Sequence, residues 1–219
     1  MLTYNDIKEN PDIREYIVAA DASLSALGYT EHSFAHVGKV AEDAAFILTS
    51  LGYPERTVEL ARIAAHLHDI GNLVNRVEHS QSGAVMAFRI LDKLGMSASE
   101  IATVVTAIGN HDEGTGVAVN PVAAALIIAD KSDVRRSRVR NSDTASFDIH
   151  DRVNWSATES HLSLSEDKKV ITLNLTIDSS VSSVMDYFEI FLGRMIMCRK
   201  AAESIGLCFS LVINGQKLL

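Results

Sequence analysis

The feature that most constrains this sequence is a set of histidines and aspartates on helical faces that otherwise consist of apolar residues. The apolar positions recur at helical spacing. Polar side chains interrupt them at His36, His68, His111 and Asp130. A polar group without a partner in a helical core costs several kcal/mol, and a bare carboxylate costs more. These residues therefore bond to one another or hold a metal, or the helical pattern is misread.

Taken singly, a histidine or aspartate on such a face is more often a satisfied core residue than a ligand. Taken together, imidazoles and carboxylates from separate helices supply the mixed nitrogen and oxygen ligands that Fe, Mn, Co or Zn accepts. His68 and Asp69 are adjacent, so their side chains project about 100° apart and can both reach one cleft from a helix end. The interior of a helical bundle is a usual place for such a site.

Glycine and proline divide the first part of the chain into helices. The pattern predicts helices near residues 11–27, 33–51, 55–69, 79–94, 98–111 and 121–134. From Asn141 the spacing of the apolar residues changes. Residues 170–177 alternate as a strand does, residues 155–164 alternate less cleanly, residues 181–204 form an amphipathic helix, and residues 207–213 form a last strand. We therefore expect a mainly α protein, with a helical domain over residues 1–140 and a small α+β (β-β-α-β) subdomain over residues 141–219.

Charge and hydropathy exclude several classes of protein. The chain has 20 Lys+Arg against 28 Asp+Glu, a net charge of -8, which disfavours nucleic-acid and anionic membrane partners. A phosphate-bearing ligand must then be met by a metal or a local cluster. The N-terminus resembles neither a secretory signal nor a transit peptide, and the longest apolar run, Val122 to Ala129, is far short of the ~20 residues that span a bilayer. We expect a cytoplasmic protein in which Cys198 and Cys208 are core or incidental thiols.

One segment carries a family signature. Residues 64–71 read Ala-Ala-His-Leu-His-Asp-Ile-Gly, with His36 before them and Asp130 after them. This pattern resembles the H…HD…D signature of the HD-domain superfamily of metal-dependent phosphohydrolases, and the resemblance spans about residues 30–134. It implies an HD-type helical bundle in which His36, His68, Asp69 and Asp130 hold one metal.

Two further histidines extend the resemblance to binuclear HD enzymes. The motifs are Glu78-His79-Ser80 and Asn110-His111-Asp112. The resemblance implies that Asp69 bridges two divalent transition metals per chain, Fe, Mn, Co or Zn, and that His79 and His111 hold the second. Water activated by these metals would attack the phosphorus, so no side-chain nucleophile is required.

Other polar residues are candidates for secondary roles. Asp69 and Lys131 are the candidate catalytic residues, and Arg76 and Lys131 the candidate substrate-binding residues, although Lys131 fits a surface position equally well. Asp112 either orients His111 or is a solvated residue at a helix end. A basic run follows Asp130, and a solvated face or a domain interface is favoured for it over a polyphosphate site. This run comprises Arg135, Arg136, Arg138 and Arg140. Structural or surface positions are favoured for His32, His66, His150 and His161.

The leading functional hypothesis is a metal-dependent phosphohydrolase that cleaves a phosphoester or phosphoanhydride of a nucleotide-like small molecule by metal-activated water. Two alternatives keep the same fold. One is a non-catalytic HD-fold module for ligand sensing or interaction, and the other is a di-iron HD-type oxygenase. The expected partner is a small phosphorylated substrate. Nucleic acid and membranes are not expected as partners, and association of identical chains through residues 141–219 is a further alternative.

Overall fold

The first part of the chain is a bundle of seven α-helices, in a computed structural model that describes residues 1–141 and 143–219. The helices are α1 (Tyr4–Glu9), α2 (Pro11–Ala26), α3 (Phe34–Ser50), α4 (Glu55–Leu67), α5 (His79–Lys93), α6 (Ala98–Gly109) and α7 (Pro121–Ser132). The six predicted helices are confirmed as α2 to α7. Helix α1 was not predicted, because its 6 residues are too few to show a helical period.

The second part of the chain forms a small sheet and two more helices. These elements are α8 (Ile149–Ser156), β1 (Ala157–Leu164), β2 (Val170–Ile177), α9 (Val184–Ser204), β3 (Cys208–Ile213) and β4 (Gln216–Lys217). The strand order is β1-β2-β3-β4, with β2 and β3 parallel and the two outer pairs antiparallel. A parallel pair needs a crossover, and α9 supplies it. The predicted mainly α fold with a small α+β C-terminal part is confirmed.

Three details of the predicted second part were wrong. Trp155 and Ser156 belong to α8 rather than to the first strand. Helix α9 begins at Val184 and not at residue 181, because Ser183 caps it in a reciprocal box with Asp186. The chain also returns after the Asn214-Gly215 turn to add the two-residue strand β4. Both turn residues have positive φ, 51° and 77°, as a tight hairpin requires.

Helix α7 lies at the centre of the bundle. The run from Val122 to Ala129 is buried on every side, and α7 packs against α3, α4, α6 and α9. A helix that is hydrophobic all round belongs in a core. The longest apolar run of the chain is therefore the central core helix, and none of the helices in residues 1–141 and 143–219 has the length and hydropathy to cross a bilayer.

Helix α9 packs on α7 from the C-terminal part of the chain. Its Tyr187 and Phe191 are fully buried in the same apolar core that the bundle helices form. The proposed boundary near residue 140 falls in the connection between α7 and α8. The division into two domains stays a prediction, whereas the contact between α7 and α9 fixes the C-terminal part against the central helix.

A tight turn after α4 sets the position of α5. Residues Ile70–Leu73 form a short 3-10 helix, and Gly71 lies against the first turns of α5. A Cβ atom at Gly71 would lie 1.9 Å from the His79 carbonyl oxygen and 2.5 Å from the Gly83 amide nitrogen. Only glycine permits this approach, which fixes the distance between the end of α4 and the start of α5.

We therefore expect Gly71→Ala to destabilise the protein by about 2 kcal/mol or more, because backbone rather than a flexible side chain occupies the space. The measurement is the free energy of unfolding from denaturant titration. Gly38→Ala in α3 is the matched control: nothing lies within 4 Å of its Cβ position, so alanine should be neutral or stabilise the helix by up to about 1 kcal/mol. Equal stability of the Gly71→Ala and wild-type proteins would contradict the close packing of this turn.

Candidate metal centre

Four imidazoles and two carboxylates meet inside the bundle. His36 comes from α3, His79 from the first turn of α5 and Asp130 from α7, while His68-Asp69 and His111 follow the ends of α4 and α6. The Nε2 atoms of His36 and His68 are 3.3 Å apart, and those of His79 and His111 are 3.2 Å apart. The structure thus brings together all six residues that the sequence predicted as metal ligands.

The Nδ1 nitrogen of each of the four imidazole rings already has a hydrogen-bond acceptor. The Nδ1 atoms of His68, His79 and His111 each lie 2.6 to 3.1 Å from the backbone carbonyl oxygen three residues earlier. The Nδ1 atom of His36 lies 2.7 Å from Oδ2 of Asp133. An Nδ1–H that donates to these acceptors leaves the Nε2 lone pair directed into the cluster.

The resulting donor set fits divalent metal. Facing Nε2 lone pairs and carboxylates are all acceptors, so a buried cluster of them is unfavourable until positive charge enters it. Two triads have one ligand atom each within 4.8 Å of the others. They are His36, His68 and Asp130, and His68, Asp69 and His111. Imidazole nitrogens with carboxylate oxygens are the ligands that Fe, Mn, Co and Zn share.

Asp69 stands between the two pairs of histidines. Its Oδ2 atom is 3.1 Å from Nε2 of His68 and 3.6 Å from Nε2 of His36. Its Oδ1 atom is 3.5 Å from Nε2 of His79 and 3.9 Å from Nε2 of His111. One oxygen of the same carboxylate therefore faces each pair.

The electrostatics of the cluster favour positive charge. Burial lowers the pKa of His68, but Asp69 and Asp130 outweigh burial and raise that pKa to about 10. Burial raises the pKa of Asp69, and the neighbouring His68 reverses this and holds it well below its usual range. The pKa of His111 is lowered to about 3 by burial, with His68 and Lys131 adding to the effect. The two carboxylates thus favour a positive charge among these acceptors.

Asp133 is a residue of the candidate site that the sequence reasoning missed. It is buried, and its carboxylate accepts from Nδ1 of His36, so it fixes the ring that would hold metal. Arg135 donates to its Oδ1 atom at 2.6 Å, and Arg138 donates to its backbone oxygen at 2.8 Å. In the sequence, the only indication of this role is that Asp133 is an aspartate three residues after Asp130. The arginines that follow it directed the interpretation of this segment to its positive charge.

The arginines of the basic run have partners in other parts of the chain. Arg138 is buried, and it also donates to the backbone oxygen of Glu31. Arg136 donates to the backbone oxygen of Trp155 at 2.6 Å, which joins the end of α7 to α8. Arg140 pairs with Asp21 of α2. The interpretation of this run as a solvated face was therefore wrong for Arg138. The contact of Arg136 with Trp155 supports the alternative of a role at an interface.

A cavity of about 460 Å³ opens onto the cluster, and Arg76 and Lys131 line it. Lys131 is only 5% exposed, so a surface position for it was wrong. Its Nζ atom is 2.7 Å from Oδ2 of Asp130 and 3.5 Å from Oε2 of Glu113. Arg76 is on the other side of the cluster, with Nη1 3.4 Å from Nε2 of His79.

The secondary candidates fall at several places. His32 and His150 line the cavity, and His150 is an exposed residue of α8, in agreement with the surface position favoured for it. His66 is buried edge-on against Tyr4, whereas His161 is exposed on β1. Asp112 has its Oδ1 atom 3.9 Å from Nε2 of His79, so it is near that ring's ligating nitrogen and does not orient His111. Cys198 is buried and Cys208 is exposed.

Comparison with known proteins identifies the family. The family model of the HD domain matches residues 33–142, and the chain belongs to the HD-domain family. An uncharacterized protein of Methanocaldococcus jannaschii is 25% identical over 162 residues, which are 64% of this chain and 62% of that protein. The chain thus matches less than two thirds of that relative's length. A crystal structure of a predicted HD superfamily hydrolase from an uncultured Thermotogales bacterium is 27% identical, with a TM-score of 0.44, over 62% of this chain and 75% of that one.

We expect Asp133→Asn to weaken metal binding by roughly 10- to 100-fold, because the imidazole of His36 loses the carboxylate that orients it. The measurement is the dissociation constant for Mn²⁺ by calorimetry on metal-stripped protein. Asp43→Asn is the control, since Asp43 is a partly buried carboxylate of α3 whose ion-pair partner is Lys39. If both variants bind Mn²⁺ as the wild-type protein does, Asp133 has no part in the metal centre.

Proposed function

We propose that this protein is a metal-dependent phosphohydrolase that cleaves a phosphoester or phosphoanhydride bond of a nucleotide-like small molecule. The observation that carries the proposal is the set of six candidate ligands, four of which line a cavity that Lys131 and Arg76 also line. A module that only senses or binds a partner needs no such buried set of acceptors, so the geometry favours catalysis.

The roles of the ligands follow from their positions. His36, His68 and Asp130 would hold one divalent metal, His79 and His111 would hold another, and Asp69 would contribute an oxygen to each. When bound, such metals supply an activated water and neutralise the charge of phosphoryl oxygens. The buried Nδ1 hydrogen bonds keep the four rings in one tautomer and one orientation, so little reorganisation is needed.

Two cationic side chains flank the cluster on the cavity side. The Lys131 ammonium is held at Asp130 by an ion pair and donates to a phosphoryl oxygen as negative charge develops there. The Arg76 guanidinium beside His79 binds a second phosphoryl oxygen or the leaving group. These roles require the substrate phosphate to lie between Lys131 and Arg76, above Asp69.

The experiment that tests the function is turnover of a panel of phosphorylated metabolites by the Mn²⁺- and Fe²⁺-loaded protein, with metal analysis of the same sample. We expect release of phosphate or of a nucleoside monophosphate. Oxygen uptake is recorded in parallel, because a di-iron oxygenase uses a similar ligand set. Oxygen consumption without phosphate release would replace the phosphohydrolase with the oxygenase.

We expect Asp69→Ala to abolish both metal content and hydrolysis, because both proposed metal sites lose an oxygen ligand at once. In contrast, His79→Ala should lower metal stoichiometry by about one per chain. The measurement is elemental analysis after dialysis, beside the rate of phosphate release. His161→Ala is the control, since His161 is exposed on β1. Wild-type stoichiometry in His79→Ala would contradict a two-metal centre.

A further inference from the structure

The cavity extends beyond the metal ligands to a wall that the C-terminal part of the chain supplies. Asp148, His150, Asp151 and Asn154 of the α8 segment line it, and so does Arg194 of α9. All five lie outside residues 33–142, which the HD domain matches. Membership of the family therefore assigns them no role, and their chemistry must be read from the structure.

Arg194 is on the cationic side of the cavity. Its Nε atom forms an ion pair with Oε1 of Glu113 at 2.6 Å, and its guanidinium lies over the ring of Phe191, 4.4 Å from the ring centre. The other oxygen of Glu113 faces Lys131, which in turn contacts Asp130. Within the described residues, the two terminal nitrogens of Arg194 have no hydrogen-bond partner. A rigid guanidinium with two free donors near the ligand cluster is suited to a phosphate.

The α8 side of the cavity has the opposite chemistry. Asp148 caps α8 and Asp151 lies in its first turn, and neither carboxylate has a Lys or Arg within 4 Å in the described part of the chain. Neither is hydrogen-bonded or ion-paired to the metal ligands among those same residues. Asp148 accepts from the backbone N–H of Asp151, and Asp151 accepts from Nδ2 of Asn141 at 3.5 Å, so the two carboxylates have neutral donors and add negative charge to the lining of the cavity.

Asn154 adds an acceptor that has no protein donor. The residue is only 7% exposed, and its Nδ2 group donates to the backbone oxygen of His150 at 2.9 Å. This bond fixes the amide, and within residues 1–141 and 143–219 no group donates to its Oδ1 atom. Because Asn154 lines the cavity, this oxygen is open to a ligand donor or to water.

We propose that the cavity distinguishes the two ends of its substrate by charge, with Asp148, Asp151 and Asn154 as specificity-determining residues. Lys131, Arg76 and Arg194 bind the end of the substrate that carries all of its phosphate groups. The α8 side receives hydroxyl or amino groups and repels a second phosphate. A cavity of about 460 Å³ suits a sugar phosphate or a mononucleotide. This inference rests on the proposed function and adds to it the form of the substrate.

The test compares glucose 6-phosphate with glucose 1,6-bisphosphate, two probes that differ only in a phosphate at the far end. Dissociation constants are measured by calorimetry on the metal-loaded protein, with the probes checked for integrity afterwards. We expect the monophosphate to bind at least about tenfold more tightly, because the second phosphate meets Asp148 and Asp151. Counting charges on the cationic side alone predicts the reverse order.

The double variant Asp148→Asn with Asp151→Asn should reduce this preference to about twofold or less. Asparagine caps a helix as well as aspartate does, so α8 is retained. Its control is Asp143→Asn with Asp167→Asn, which removes the same two charges from exposed positions outside the cavity. The inference is overturned if the wild-type protein does not prefer the monophosphate, or if both double variants have equal preference. It is also overturned if inorganic phosphate binds and neither sugar phosphate does, whereas failure of inorganic phosphate to bind overturns the proposed function as well.

Arg194→Gln tests the cationic side independently. We expect it to weaken binding of inorganic phosphate and of both probes by similar factors, roughly 10-fold, and to leave metal content unchanged. Arg199→Gln is the control, because Arg199 is an exposed arginine of the same helix. Wild-type affinity for inorganic phosphate in Arg194→Gln would remove Arg194 from the phosphate end.

Discussion

The structure depends on one electrostatic constraint, the convergence of hydrogen-bond acceptors inside an apolar bundle. Four Nε2 lone pairs and two carboxylates cannot remain together in a core without positive charge. The helices are arranged around this requirement. His68, Asp69 and His111 follow the last residues of α4 and α6, so these two helices end at the cluster and place side chains there from the turns beyond. The contact of Gly71 with α5 then sets His79 at the distance that the cluster needs.

Helix α7 contributes both to the apolar core and to the candidate metal centre. Its apolar run is the centre of the core, and its last turn carries Asp130 and Lys131, with Asp133 directly after it. Every substantial shift of α7 would therefore move a ligand, a cationic side chain and the carboxylate that holds His36. The ion pairs that continue from Lys131 through Glu113 to Arg194 extend the same arrangement to α9. The C-terminal part is thus joined to the centre by both apolar packing and charge.

The features that depend on local periodicity could be predicted from the sequence. The features that depend on tertiary contacts could not. Helices α2 to α7 have clear apolar periods, so their positions and the ligands on their faces could be inferred. Helices α1 and α8 have 6 and 8 residues, too few to show a period against their polar surroundings. The role of Asp133 requires the contact with His36, 97 residues away in sequence. The cavity wall of α8 and α9 requires the packing of two regions whose sequences contain no motif that connects them.

The net charge of -8 suggested that a phosphate needs a metal or a local cluster of basic side chains, and the structure places buried cations next to the candidate metal ligands. Lys131 is buried between Asp130 and Glu113, and Arg138 is buried against Asp133, so their positive charge is held in low dielectric close to the ligands. Interactions there are screened less than those of exposed carboxylates. Under the proposed function, a phosphate bound in the cavity would therefore respond to these nearby cations and not to the acidic surface. Because Asp148 and Asp151 border the same cavity, that negative charge also acts locally, and selection by charge becomes a property of position within one cavity rather than of the whole protein.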